Sequence, residues 1–103
     1  MDTKIKNLPN LPGVYLFKDE NNHILYIGKA KNLKKRVSIY FQKKDWKTKA
    51  IVESSKTTDH IVTKNELEAM LLEAELIKAN QPKFNVLLKS GQPFLYILIT
   101  SPP

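Results

Sequence analysis

The sequence predicts an α+β fold, a small antiparallel β-sheet flanked by α-helices. Three observations carry that reading. Two short β-prone runs in GVYLFKDENNHILYIGK surround a polar turn, the pattern of a hairpin. DHIVT, further along, reads as one more strand. TKNELEAMLLEAELIKAN sets apolar residues at helical spacing. The order strand, strand, helix, helix, strand, helix is that of an α+β chain.

Residues 1–12 form a polar, proline-punctuated lead-in. The hairpin turn is placed at Asp19–Asn22, a four-residue loop. Closing Lys18 against His23 then sets Tyr15 opposite Tyr26 and Gly13 opposite Gly28, a register that a one-residue slip would destroy. Asn32 is suited to cap the next helix. Leu33, Val37, Tyr40 and Phe41 fall on one side of that helix, and Arg36 and Tyr40 are i, i+4 neighbours on it. A second, weaker helix covers about 46–55. The long helix after DHIVT opens with Thr63 and Glu66 at capping-box spacing. Leu67, Met70, Leu71, Ala74 and Ile77 make its core stripe, and Asn80 with Pro82 ends it. FLYILIT at 94–100 is apolar on both alternating faces and expects cover on both sides. There is no internal repeat, and 103 residues suit a single domain with a modest core.

A hydrophobic fraction of 42% is that of a globular chain. No apolar run has the length of a membrane span, and no signal peptide opens the sequence. Without cysteine there are no disulfides, thiolate metal sites or cysteine nucleophiles, which points to a reducing compartment, most simply the cytoplasm. The net charge of +7 is concentrated: residues 29–49 hold nine basic side chains and one acid, Asp45. A patch of this kind is the footprint expected for a polyanion such as nucleic acid; the alternative is a solvated lysine-rich helix face.

Three groups of residues stand out. Glu73 has apolar helical neighbours at Ala69, Met70, Leu76 and Ile77. A carboxylate so placed is either a metal ligand or catalytic acid, or a rim residue that reaches water. Arg36 is the one arginine in a chain that otherwise uses lysine, 17 basic residues in all. Its planar fork matches phosphate oxygens better than an ammonium does, and Lys29, Lys31 and Lys35 lie close by; the alternative is that one arginine falls there by chance. The helix start beside it offers free amides that favour an anion. Tyr15, Tyr26 and Tyr40 are either core side chains with hydroxyls at the rim or a reactive cluster that needs nearby cations or a metal. His23 and His60 are isolated, and no glycine-rich phosphate loop is present.

GVY at 13–15, YIG at 26–28, YIGKAKNLKKRVSIYF, LLEAELIK and QPKFN together resemble the GIY-YIG nuclease superfamily, most closely the nuclease domains of the UvrC family. The likeness runs over about residues 9–89. It implies a three-stranded antiparallel sheet flanked by helices and a divalent-metal-dependent DNA endonuclease. By position, it implies that Tyr26 is the general base for water, Tyr15 its hydrogen-bonded partner and Tyr40 a further active-site tyrosine. Lys29 and Arg36 would bind and polarise the scissile phosphate, with Lys31, Lys34 and Lys35 as further DNA-binding residues. Glu73 would hold a single Mg²⁺ or Mn²⁺, Asn85 would support the site, and Gly28 would permit close approach of strand and substrate. The family's reaction is incision on the 3′ side of a lesion in nucleotide excision repair, reached through a UvrB–DNA complex by regions outside this domain.

The stretch SGQPFLYILIT departs from the acidic, serine- and tyrosine-containing continuation common in UvrC. A shorter homologue such as Cho, or a fusion, therefore stays open, and the chain reads as a fragment of a longer protein. The domain itself is expected to be monomeric and not membrane-bound. The competing classes are a non-catalytic DNA-binding module, in which the tyrosines are only packing, and a protein-docking domain.

Overall fold

The computed structural model describes residues 8–90, with side chains through Leu87. It contains β1 (Gly13–Lys18), β2 (Ile24–Ala30), α1 (Leu33–Tyr40), α2 (Trp46–Ser54), β3 (Thr57–Val62), α3 (Glu66–Asn80) and α4 (Lys83–Ser90). The three strands form one antiparallel sheet in the order β2-β1-β3. The middle strand, β1, is buried along nearly its whole length. Side chains alternate across it. Tyr15 and Phe17 pack with Leu33, Val37 and Ile51 of α1 and α2. Val14 and Leu16 pack with Ile27 and with Ala69, Leu72, Leu76 and Ile77 of α3. The domain is thus three layers, α1 and α2 on one face and α3 on the other. The α+β class and the three-stranded sheet agree with the sequence reading. FLYILIT lies outside the described residues.

The hairpin register differs from expectation. Tyr15 stands opposite Gly28, Gly13 opposite Ala30 and Tyr26 opposite Phe17. Two local features cause the shift. Lys18 pairs with Ile24 rather than His23, and a bulge between Phe17 and Lys18 leaves Leu25 as an extra residue on β2. The turn is built by Asp19, whose carboxylate accepts from the amides of Asn21 and His23, both at 2.9 Å. Asn22 adopts the left-handed conformation there, with φ 66°. The two extra residues preserve the period of two, so Tyr15 and Tyr26 stay on one face as diagonal neighbours, ring centroids 6.4 Å apart.

The helices are set by their caps. Asn32 accepts from the Lys35 amide at the start of α1, as expected, and Asp45 does the same for Thr48 in α2. For α3 the cap is Asn65, accepting from Glu68, and not Thr63 with Glu66. Thr63 instead extends the contact with the β1 lead-in, donating its amide to the Pro12 carbonyl. The buried face of α3 also differs from the expected stripe: Ala69 is fully buried, whereas Leu67 and Leu71 are each 61% exposed and Met70 and Ala74 are also exposed. β3 starts two residues earlier than DHIVT. α4 was not anticipated. Gln81 ends α3 in a left-handed conformation, and the buried Pro82 leads directly into a new helix.

Candidate active site

β2 is an outer strand, so side chains from both of its faces can be reached around one edge. On the α1 face lies an aromatic cluster. The Tyr15 and Tyr40 hydroxyls are hydrogen-bonded at 2.8 Å, and either can donate. The Tyr26 ring lies 6.2 Å from that of Tyr40, completing a triangle of three tyrosines. Gly28 makes room for it. A Cβ there would sit 2.2 Å from the Tyr15 hydroxyl oxygen and 2.3 Å from its Cζ. The close approach that Gly28 permits is thus that of the Tyr15 ring.

Arg36 projects from α1 beside this cluster. Its guanidinium is held more firmly protonated by hydrogen bonding to Tyr15, with the charges of Tyr15 and then Tyr40 and Tyr26 adding to the effect. Burial raises the Tyr15 hydroxyl above the ordinary phenol range and pushes that of Tyr40 well above it, in Tyr40 with added repulsion from Tyr15 and Tyr26. Both therefore remain protonated at neutral pH. Tyr26 and Tyr40 are half-buried, where Tyr15 is 1% exposed.

Lys29 pairs with Val14 and so belongs to the α3 face. Its ammonium lies 3.5 Å from the Glu66 carboxylate. It also interacts with Glu73, seven residues further along α3 and two turns away. Glu73 is half-buried; desolvation raises its carboxyl above the usual carboxylate range, and Lys29, by charge and by its backbone amide, opposes the shift. The residue is neither a fully immersed carboxylate nor a free rim side chain.

A cleft of about 700 Å³ joins the two faces, lined by Lys29, Lys31, Asn32, Lys35, Arg36, Ile39 and Glu66 among others. Lys34 is exposed but is not one of its lining residues. One expectation fails here. The α1 amides are not free for an anion: Leu33 donates to Leu11, Lys34 to Pro9, Arg36 to the Asn32 carbonyl and Lys35 to its side chain. Attraction for an anion therefore falls to the lysine and arginine side chains. Glu66, the acid in the cleft, was expected only as a capping-box residue of α3; its place in the cleft rests on a long-range contact with Lys29.

Asn85 of α4 acts on the same edge from outside. Its side-chain oxygen accepts from the Ile27 amide at 2.8 Å and its nitrogen donates to the Ile27 carbonyl at 2.9 Å. This takes up both outward-facing backbone groups between Tyr26 and Gly28, as a neighbouring strand would.

Among the described residues no group of three His, Cys, Asp or Glu side chains could enclose a metal ion. A single carboxylate, with water for the remaining ligands, suits Mg²⁺ and not a structural zinc site. Glu73 is the residue that could serve: it is half-buried, carries a charge that burial disfavours, and interacts with Lys29 of the basic cleft. No helix among the described residues is long and apolar enough to cross a membrane.

Known proteins resemble this chain in sequence and in fold. The UvrC-like GIY-YIG domain family model matches residues 11–86. The UvrABC system protein C of Methanosarcina acetivorans is 52% identical over 98 residues, covering 93% of this chain and 19% of that protein. That of Carboxydothermus hydrogenoformans is 47% identical over 100 residues, covering 94% and 16%. The chain thus spans less than a fifth of the length of these curated relatives. The magnesium-bound crystal structure of the N-terminal GIY-YIG endonuclease domain of UvrC from Thermotoga maritima superposes with a TM-score of 0.75 at 43% identity, covering 81% of this chain and 92% of that one. Magnesium is described there as its catalytic divalent cation. The sheet order and the extent of these matches lead to one assignment: the chain belongs to the UvrC-like GIY-YIG family, as an endonuclease domain of the UvrC type.

Proposed function

We propose that this domain hydrolyses a DNA backbone phosphodiester on the 3′ side of a lesion during nucleotide excision repair, in the cytoplasm. The UvrB–DNA complex would be engaged by other parts of a longer protein. The observation that carries the reading is the convergence, at one strand edge, of a tyrosine triangle, the lone guanidinium and a half-buried carboxylate across from it. A module that only bound DNA would need the lysines but not the last two features.

The phosphate enters the cleft between Lys29 and Arg36. Lys31 and Lys35 neutralise the neighbouring phosphates, and Lys34 adds field from outside the cleft. The Arg36 fork faces the oxygens on which negative charge builds in the transition state, and Lys29 supplies a second cation from the other face. Tyr15 and Tyr40, both held protonated, fix the hydroxyl network and aim the guanidinium. Tyr26, which matches the second tyrosine of the family motif, takes the proton from water. Gly28 and Asn85 are positioning residues, the first by admitting the Tyr15 ring and the second by holding the strand that carries Tyr26 and Lys29. Glu73 would hold the divalent ion, Mg²⁺ or Mn²⁺, which when bound supplies Lewis-acid stabilisation of the phosphate or leaving oxygen.

Replacing Arg36 by Lys tests this mechanism. Charge is kept and the fork is lost, so metal-dependent nicking by the parent protein should fall by about 10²-fold with DNA affinity nearly unchanged. An Arg36→Lys protein that cuts as fast as the parent would overturn the role given to the guanidinium.

A further inference from the structure

The corner between α1 and α2 carries a feature that incision does not use. Trp46, the one tryptophan of the chain, opens α2 and is 68% exposed. An indole is among the side chains most rewarded by burial. Among the described residues the aromatic ring contacts are made by Tyr15, Phe17, Tyr26, Tyr40 and Phe41, and Trp46 joins none of them. Its backbone is nevertheless held. The Asp45 carboxylate accepts from both the amide and the hydroxyl of Thr48 at 3.2 Å, which fixes the first turn of α2. Lys43, Lys44, Lys47 and Lys49 flank Trp46 in the sequence, and all four are exposed.

The segment on either side of Trp46 lines a cleft of about 280 Å³, walled by Tyr40, Phe41, Lys43, Lys44, Lys49 and Val52, with Glu53 as its acid and with the Trp46 indole outside the lining. Tyr40 lines this cleft and also bonds Tyr15, so the corner is continuous with the candidate active site.

We propose that Trp46 and this cleft form a second nucleic-acid site, specific for an unpaired base. The base stacks on the indole while the surrounding lysines hold the phosphates on either side of it. Stacking needs only a π-face, so the site is indifferent to sequence. A duplex keeps its base faces inside the stack, so the site favours single-stranded or locally opened DNA. Lysines, as flexible point charges, suit the variable phosphate positions of a single strand, in contrast to the single fork beside the tyrosines. The proposal rests on the nucleic-acid reading above and adds a ligand class to it.

Because Trp46 is the sole tryptophan, its fluorescence reports on this site alone. The parent chain is titrated with a short oligothymidylate, a fully paired duplex and inorganic polyphosphate at equal phosphate concentration. The expected result is quenching by the oligothymidylate and little by the other two. Trp46→Leu should weaken oligothymidylate binding about tenfold, measured by anisotropy of a labelled strand, with duplex binding unchanged; Trp46→Phe should keep part of the affinity. Circular dichroism confirms that the exposed substitution leaves the fold intact. Binding of the oligothymidylate with unaltered fluorescence, or equal quenching by polyphosphate, would overturn the stacking site and leave the lysines as a charge patch. Failure of the oligothymidylate to bind at all would overturn it too. Loss of nicking in the Arg36 experiment bears on the incision mechanism and does not touch this titration.

Discussion

Gly28→Ala is the smallest change that reaches the centre of the site. The added methyl carbon would stand 2.2, 2.3 and 2.7 Å from the hydroxyl oxygen, Cζ and Cε1 of Tyr15. None of these contacts is tolerable, and all three belong to one ring that must move as a unit. The ring has little space to enter: Tyr15 is 1% exposed and packs against Phe17, Tyr26 and Tyr40. Overpacking of this kind costs about 1–3 kcal/mol. Displacing the ring also breaks the hydroxyl bond to Tyr40, worth about 0.5–1.5 kcal/mol. The expected destabilisation is therefore about 1.5–4.5 kcal/mol, a large part of the stability of a small domain. Urea unfolding of the parent and the variant measures it. In a Tyr15→Leu background the three clashing atoms are gone, so the added cost of Gly28→Ala should fall below about 0.5 kcal/mol, a strong coupling between the two positions. A Gly28→Ala protein as stable as the parent, or an equal penalty in both backgrounds, would refute the claim that the glycine exists to admit the ring.

Three further sites give expected outcomes from the same geometry. Glu73→Gln should lose affinity for Mg²⁺ and Mn²⁺ in titration while melting at or above the parent temperature without metal, since it removes a partly desolvated charge; unchanged metal affinity would exclude Glu73 as the ligand. The folded-state pKa of Glu73 is raised, so the parent should gain stability relative to Glu73→Gln as pH falls through that value, and lose Mg²⁺ affinity over the same range. Asn85→Ala should speed hydrogen exchange at the Ile27 amide and cost about 1–3 kcal/mol, and Asn85→Asp should not rescue it because the carboxylate cannot donate to the Ile27 carbonyl; an unchanged Ile27 exchange rate would rule out the clamp. Tyr15 and Tyr40 are raised above 10.0, so the unfolded chain ionises first as pH rises past that value. Their contribution is thus fully present below pH 10.0 and lost above it. Tyr40→Phe should therefore show a shallower loss of stability than the parent in melts across the alkaline range, and identical slopes would argue against the buried pair.

What could be read from the sequence was what depends on near neighbours. Asn32 caps α1 and Leu33 and Val37 are its buried side because cap and stripe lie within two turns. The hairpin register could not be read the same way. It turns on whether Leu25 is paired or bulged, which is decided by packing of consecutive side chains, Leu25 and Tyr26, on one face. On α3 the difficulty was an excess of apolar residues. Leu67, Met70 and Leu71 mark one face and Ala69, Leu72, Leu76 and Ile77 another, and periodicity alone does not say which meets the sheet. The small Ala69 is the informative residue, because a helix lying close on Val14, Leu16 and Ile27 has no room for a larger one. Glu73 stood out in the sequence for its apolar neighbours, and the structure places it half-buried for that reason. Glu66 and Asn85 were silent as to geometry, since their partners Lys29 and Ile27 are distant in the chain.

The position of the site on an outer strand is itself explained by these contacts. Alternation sends Tyr26 and Gly28 toward α1 and Lys29 toward α3, so groups of opposite faces are adjacent along one backbone. On the central strand β1 the same alternation is useless for binding, because both faces are closed by helices and both edges by strands. On β2 the edge is open, and a phosphate lying along it can meet Arg36 from one layer and Lys29 from the other. The arrangement exposes unpaired backbone groups that would otherwise recruit another strand. Asn85 removes that hazard at Ile27 with a side chain instead of a strand. A paired strand would have covered the edge along its length, whereas the Asn85 amide takes up Ile27 alone and leaves the Lys29 amide to the Glu73 carboxylate. The residue that stabilises the edge and the residue that keeps the site open are, on this argument, the same asparagine.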